Sequence, residues 1–334
     1  MRAAVVPEPG ADFELVEREL PDPGPDEVRI AVAACGVCHG DGTVKEGRNP
    51  AVEFPRVPGH EIVGRVDAVG SDVAEWEAGD RVGVGWHGGH CFTCEDCRRG
   101  NFLQCDDAEV TGLSRDGGYA EYTLARREAL AAVPASLDGA DAAPLLCAGL
   151  TTFNALRHAD ADVGDLVAVL GVGGLGHLGV QYARAAGFET VAISRGPGKE
   201  AAAREFGADH YVDSEAEDPA AALADLGGAD LVLSTVPASD PVAAVVDGLD
   251  TNGDVVAVGI PEEPVPVDVL ELVDPRRGVR GWSSGHARDS QDALEFSALR
   301  DVTPEVETFD LADADAAYEA MRDGDVRFRA VIEP

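Results

Sequence analysis

Lysine is nearly missing from this chain. Of its 26 lysines and arginines only Lys45 and Lys199 are lysines, set against 62 aspartates and glutamates for a net charge of −36. That balance argues against nucleic acid as a partner, since phosphate binding needs clustered cations. It also makes the chain repel itself in dilute buffer; at molar salt the Debye length shrinks to about 3 Å and the repulsion is screened. No run of about 18 apolar residues occurs, so no membrane span is expected. The opening residues Met1-Arg2-Ala3-Ala4-Val5-Val6-Pro7-Glu8 turn acidic too early for a signal peptide, and a cytoplasmic protein is expected. Neither an internal repeat nor a low-complexity linker is visible. Cysteines number seven, an odd count, with four bunched within Cys91–Cys105, which points to metal ligation in a reducing compartment rather than to disulfides. What remains is a 334-residue chain, 45% apolar, suited to two globular domains.

The most informative stretch is Asp165–Gly179, DLVAVLGVGGLGHLG. Val167–Leu170 reads as a buried strand. Gly171, Gly173 and Gly176, with Gly174 inside the turn, follow the spacing G-x-G-x-x-G. Leu178, Val180, Ala183 and Ala186 then recur at helical intervals up to Gly187, a C-cap. Between a strand and a helix this spacing has a physical meaning. Gly171 permits the tight turn, Gly173 lets backbone approach a pyrophosphate, Gly176 lets helix and strand pack closely, and the helix N-terminus faces the phosphates. The next strand, Thr190–Ser194, ends at Ser194-Arg195-Gly196 with no carboxylate where the adenosine ribose is met. Ser194 and Arg195 suit a 2′-phosphate, and Lys199 follows one helical turn later. NADP is therefore expected over NAD, with NAD possible.

Arg2–Val6, Glu27–Ala33, Ile62–Val69 and Asp80–Val84 read as strands, punctuated by Pro21-Asp22-Pro23-Gly24-Pro25, Gly64, Gly70 and Gly79. From Asp141 onward strands alternate with helical patterns. Leu166–Leu170, Thr190–Ser194, His210–Asp213, Leu231–Ser234, Val255–Val258 and Gly278–Trp282 predict a parallel, doubly wound sheet. Asp218 and Pro219 read as the N-cap and first residue of a surface helix. The tail predicts helices over Asp289–Ala298 and Ala312–Arg322 and a closing strand over Phe328–Ile332.

Four constellations carry chemistry: Cys35-Gly36-Val37-Cys38-His39-Gly40-Asp41; Pro58-Gly59-His60-Glu61; Pro144-Leu145-Leu146-Cys147; and Cys91-x2-Cys94-x2-Cys97-x7-Cys105. Alone, Cys147 reads as a small buried hydrophobe, His60 as a hydrogen-bonded core histidine, and Cys35–Cys38 as a redox pair outside the βαβ setting such pairs occupy. Together Cys38, His60 and Cys147 supply the three protein ligands of an open catalytic zinc site. Four thiolates in one short lobe suit a closed tetrahedral zinc; an iron–sulfur cluster favours a shorter last gap and a following proline, where this chain has Asp106.

With CGVCHGD, PGHE, LLCAGLTT and GVGGLG in this order, the chain resembles the zinc-dependent medium-chain alcohol dehydrogenases over nearly all its length. Its acidic excess and scarce lysine also resemble proteins of halophilic archaea. The family resemblance implies a GroES-like β-rich catalytic domain (1–148 and 285–334) and a Rossmann domain (149–284). It implies catalytic zinc on Cys38, His60 and Cys147, with Glu61 as an alternate ligand and Asp41 orienting His60. Structural zinc falls on Cys91, Cys94, Cys97 and Cys105, with His87 and His90 as bystanders. His39 and Arg329 are implied at the cofactor pyrophosphate, Thr151 at the nicotinamide, and Trp86 at a narrow substrate pocket favouring primary alcohols and aldehydes. A homodimer or homotetramer acting on small alcohols or aldehydes is expected, with a polyol or sugar dehydrogenase of the same superfamily, or a non-catalytic zinc- and nucleotide-binding redox sensor, as the rival readings. One departure stands out: many members carry serine or threonine after His39 as a proton relay, and here it is Gly40. Thr43, water or another route would move the proton, and a serine at position 40 is expected to be tolerated.

Overall fold

The computed structural model describes Met1–Pro334, and the chain divides into two compact units, Met1–Leu150 with Gly285–Pro334 and Thr151–Ser284. The first is organised around the strand Glu27–Gly36, which changes partners along its length. Its first half pairs with Tyr122–Arg126 and its end, Cys35–Gly36, with Val331–Ile332, while Ile62–Val69 runs antiparallel along most of it. Register shifts between Arg29 and Ile30 and between Val32 and Ala34 bend the strand, as bulges do. The strand runs three residues beyond the expected Ala33, because Ala34, Cys35 and Gly36 lack the β-branched signature yet pair with Val63, with Ile62 and Ile332, and with Val331 respectively. Arg81–Val84, Leu130–Ala132, Arg329–Glu333 and Val306–Asp310 complete the seven-stranded sheet. Val28, Ile30, Ile62, Val66, Val82, Val84 and Tyr119 pack in one core beneath it. Burying each valine or isoleucine contributes about 1.5–3 kcal/mol.

Thr151–Ser284 holds a six-stranded, wholly parallel sheet in the order His210–Asp213, Glu189–Ser194, Leu166–Leu170, Ala229–Ser234, Leu249–Ala257, Gly278–Gly281. This is the doubly wound order in which succession reverses beside the first strand. Val167, Ala168 and Val169 are fully buried, which explains a continuous apolar run instead of alternation. The helix Gly176–Ala186 ends on Gly187 in the left-handed region at φ 94°, as a C-cap glycine does. Asp218 caps the helix Pro219–Asp225 by accepting from the Ala220 N–H. The helices expected in the tail are Ala287–Arg300, capped by His286 with Asp289 closing the capping box, and Ala314–Asp323. No helix is long and apolar enough to cross a membrane.

Candidate functional site

Three separate segments of the first unit converge on one point. The strand Glu27–Gly36 delivers Cys38 to the start of a short 3-10 turn, His39–Asp41, where its Sγ accepts from the Gly40 N–H at 3.4 Å. His60 and Glu61 stand just before the strand Ile62–Val69. Cys147 sits on a π-helical turn, Leu145–Gly149, that follows Pro144. Ligand atoms of Cys38, His60, Glu61 and Cys147 all lie within 4.8 Å of one another. Two thiolates bound about 2.3 Å from one tetrahedral zinc stand about 3.8 Å apart; the Sγ atoms of Cys38 and Cys147 are 3.9 Å apart. The Nε2 of His60 is buried with no hydrogen-bond partner, a costly arrangement unless that atom has a ligand to bind. Donor chemistry, spacing and the orphaned nitrogen all fit a zinc ion.

The groups behind this cluster fix its protonation. Asp41, 2% exposed, accepts at Oδ1 from His60 Nδ1 (2.9 Å) and from the Gly59 N–H (3.2 Å), and at Oδ2 from the Cys38 N–H (2.9 Å) and the Tyr119 hydroxyl (3.0 Å). Burial works against charge on His60, but the Asp41 carboxylate overrides it and raises the imidazole pKa well above its usual value. The same hydrogen bond holds Nδ1 and leaves Nε2 for a metal. The contact with Cys147 holds Cys38 well below the ordinary thiol range against burial, with help from His60, while Cys147 is pushed up by Cys38 and by burial. The two sulfurs thus share a proton that a divalent cation would displace. Burial drives Glu61 up to about 7 against the pull of Arg329.

Arg329, which the resemblance implies at the pyrophosphate, turns its guanidinium toward Glu61 in this structure. It is 3% exposed, and its Nη2 donates to both Glu61 oxygens (2.5 and 2.7 Å) and to the Val37 carbonyl (3.1 Å). The strand Arg329–Glu333, paired with Cys35–Gly36, carries the guanidinium to Glu61. Gly36 makes room for this pair, since a Cβ there would collide with the Glu61 carboxylate.

Gly40 is enclosed. A Cβ on it would stand 2.9 Å from His60 Cε1 and 3.1 Å from Trp86 Cζ3. Both are rigid rings, and this weighs against the expectation that serine is tolerated here. His39 is exposed on the same turn, and Thr43 is half-buried in the following helix, Gly42–Lys45.

Cys91, Cys94, Cys97 and Cys105 form a second cluster, their sulfurs all within 4.8 Å of one another. The helix Glu95–Arg99 presents Cys97, and Cys94 caps it by accepting from the Cys97 N–H at 3.4 Å. Further N–H groups point at sulfur: Cys94 N at Cys91, and Cys91 N and Asp107 N at Cys105, all at 3.3 Å. Such donors suit thiolates. Hydrogen bonds from Thr93 and from the Cys94 N–H lower Cys91 to about 6, while burial and the neighbouring thiols push Cys97 up to about 12. His87 and His90 bond each other at 3.0 Å and lie outside both clusters.

In the second unit, Gly171 has φ 94°, and a Cβ there would press on Val236 and Thr235. Gly173 faces open space, and a Cβ on Gly176 would strike the Gly171 carbonyl oxygen. Gly174 lies in the turn leading into the helix. Thr151, buried, opens this unit. Ser194 is buried at the end of its strand, with Arg195 and Lys199 exposed beyond it. Surrounding protein and the charge of Arg195 hold the Lys199 ammonium below its usual range, which places the two cations in each other's field. Sequence reasoning missed Tyr119. It belongs to an ordinary Gly-Gly-Tyr run, and only tertiary packing aims its hydroxyl at Asp41.

Comparison with known proteins agrees with this architecture. Residues 24–135 match the Alcohol dehydrogenase GroES-like domain family and residues 174–298 the Zinc-binding dehydrogenase family. An alcohol dehydrogenase of Aspergillus sp. (strain MF297-2) is 45% identical, with 99% of this chain and 97% of that protein covered. Among solved structures, a cinnamyl alcohol dehydrogenase of Sorghum bicolor superposes with a TM-score of 0.90 at 31% identity, covering 99% and 97% of the two chains. The CAD of Helicobacter pylori complexed with NADP(H) gives 0.88 at 27%, with the same coverage.

Proposed function

The chain belongs to the zinc-dependent medium-chain alcohol dehydrogenases and is an oxidoreductase acting on alcohols or aldehydes; within that activity, we propose that it uses NADP(H) and acts on small primary alcohols and aldehydes. The observation that carries the site assignment is the buried, partnerless Nε2 of His60 within 4.8 Å of two cysteine sulfurs. Cys38, His60 and Cys147 would hold the catalytic zinc, with Glu61 as an alternate ligand, and Cys91, Cys94, Cys97 and Cys105 the structural one. When bound, zinc supplies a Lewis acid for the substrate oxygen and the nicotinamide carries the hydride. The protein's own part is orientation. Asp41 fixes the face of His60, the Gly40 N–H steadies the Cys38 sulfur, and Arg329 neutralises Glu61 behind them. Gly171, Gly173, Gly174 and the N-terminus of the helix at Gly176 would receive the pyrophosphate, with His39 as a further contact and Thr151 at the nicotinamide. With Gly40 lacking a hydroxyl, Thr43 or water would take the alcohol proton.

NADP(H) is supported by Ser194, Arg195 and Lys199 at the end of the second strand and by the cofactor in the Helicobacter pylori complex. The Trp86 indole packed on His60 supports a narrow substrate space. Steady-state kinetics with NADPH and NADH on a panel of aldehydes in molar salt tests the reading; a higher kcat/KM with NADH overturns the cofactor assignment. Val269, Leu270 and Val273 are 65%, 78% and 66% exposed and lie close in sequence to the edge strand Gly278–Gly281. They support a homodimer or homotetramer, since exposed apolar side chains beside an open edge invite pairing. Free thiols throughout support a reducing, cytoplasmic setting. Acidic excess supports work at high ionic strength.

A further inference from the structure

Asp41 bonds both Cys38 and His60, so whatever holds Asp41 holds two ligands of the catalytic site at once. Its two oxygens take four donors, three of which belong to the ligand segments themselves: the Cys38 N–H, the Gly59 N–H and His60 Nδ1. The fourth is the hydroxyl of Tyr119, from a segment 78 residues further along the chain. That segment is fastened to the histidine segment by backbone bonds from Gly117 N to Val57 O (2.8 Å), Gly118 N to Gly59 O (3.0 Å) and Tyr119 N to Pro58 O (3.1 Å). The Tyr119 carbonyl in turn accepts from the Ala4 N–H at 2.8 Å.

The ring has no freedom to turn away. Tyr119 is fully buried, its centroid 5.7 Å from that of Phe13. Gly59 also lies against the ring: at φ 98°, a Cβ there would come within 2.5 Å of Tyr119 Cδ1 and 2.8 Å of Cε1. The glycine before His60 is thus the surface against which the phenol lies. A buried tyrosine hydroxyl usually finds a partner; this one finds the single carboxylate that orients a metal-binding histidine.

We propose that Tyr119 is a positioning residue for the catalytic zinc, acting through Asp41 on His60 and Cys38. This rests on the reading of Cys38, His60 and Cys147 as the zinc site. Its hydroxyl fills the last acceptor position of Asp41 and stops the carboxylate from rotating about its bonds to the two ligand segments. Without it, Oδ2 keeps only the Cys38 N–H, and the buried lone pair left over is an unmet acceptor. Partners outside the ligand shell of a metal typically govern affinity by 10–100-fold. Tyr119 stands one bond further out, so an effect of about tenfold is expected.

The experiment uses the holoenzyme carrying Tyr119→Phe, which preserves the ring and removes only the donor. Zinc release to a chromogenic chelator is followed in wild type and variant, together with the visible d–d spectrum after cobalt is exchanged into the catalytic site. One of the two zinc ions should leave about tenfold faster, the cysteine-bound one should leave at the wild-type rate, and the cobalt band should shift. The kcat should fall while the KM for cofactor stays unchanged. Equal release rates and an unchanged cobalt band overturn the proposal. If wild type holds zinc only on the four cysteines, the catalytic-site reading itself fails, which separates the two failures. Should Tyr119→Phe not fold, site-specific trifluorotyrosine at position 119 keeps shape and hydroxyl while changing donor strength. The cobalt band should then move, and an unmoved band overturns the proposal.

Discussion

The indole of Trp86 stands edge-on to the imidazole of His60, ring centroids 4.9 Å apart and planes at 89°. Gly40 lies beneath both rings with no space for a Cβ. Glycine at 40 and tryptophan at 86 are therefore a matched pair. Gly40→Ser should push on His60 by a few tenths of an ångström and lower kcat/KM, by less than the roughly hundredfold that a misplacement of about 1 Å costs. Adding Trp86→Ala should restore part of that loss by opening space for the new side chain. Gly40→Ser with wild-type kinetics would show that the rings give way freely.

The two metal clusters should respond differently to loss of one sulfur. Cys38→Ser should abolish turnover with little change in melting temperature, because the open site is supported by the sheet and by Asp41. Cys97→Ser should lower the melting temperature, because a closed cysteine site contributes folding energy to a lobe with little core of its own. Metal analysis of active enzyme should give two zinc ions per chain; a single ion would sink the assignment of two sites.

What was legible in the sequence was what is local. The strand Leu166–Leu170, the glycine turn and the helix to Ala186 follow one another within about two dozen residues, so periodicity and turn chemistry suffice. Cys91–Cys105 are equally compact. Cys38 and Cys147 stand 109 residues apart, and spacing alone cannot join them; the ordered set of motifs did that. Arg329 on Glu61 spans 268 residues and depends on which strand the closing segment pairs with. The clash at Gly40 is a property of packing alone. Glu14–Glu17 and Glu109–Val110 escaped as strands because they are too short to show alternation.

His87 gives stability a pH dependence of definite sign. It is 4% exposed, and burial, with His90 and His286 adding to it, lowers its pKa from 6.5 to about 4. The folded protein therefore resists protonation that the unfolded chain accepts. Stability is fully present above pH 6.5 and is lost as pH falls from 6.5 toward 4, by up to about 3 kcal/mol at 1.36 kcal/mol per pKa unit. Denaturant titrations at pH 7 and pH 5 should differ less for His87→Gln than for wild type. Equal differences would show that His87 does not carry this term.

Cofactor choice turns on the last residues of the second strand of the parallel sheet. A carboxylate there would bond both ribose hydroxyls of NAD and repel a 2′-phosphate. Here the strand Glu189–Ser194 ends in a hydroxyl, followed by Arg195 and then Gly196 at φ 68°. Gly196 donates to Asp213 Oδ1 at 2.7 Å and accepts from the Tyr211 hydroxyl at 2.6 Å, so the turn is held from the neighbouring strand. Asp213 Oδ1 also accepts from the Glu215 N–H at 3.0 Å, and the Glu215 carboxylate lies near the turn, 3.5 Å from where a Cβ on Gly196 would stand. Two donors thus engage the very oxygen that faces Gly196, tempering its repulsion of a phosphate. Arg195 depresses Lys199 through its charge, adding to the desolvation there, and a phosphate between them would relieve that repulsion. Molar salt weakens the charge contribution without removing the bidentate geometry of the guanidinium. Wild type should therefore favour NADPH mainly through a lower KM. Ser194→Asp combined with Arg195→Gly should raise the KM for NADPH at least about tenfold, the loss of roughly one charge-assisted hydrogen bond, and lower it for NADH. A double variant that still prefers NADPH would place the 2′-phosphate contacts on other residues.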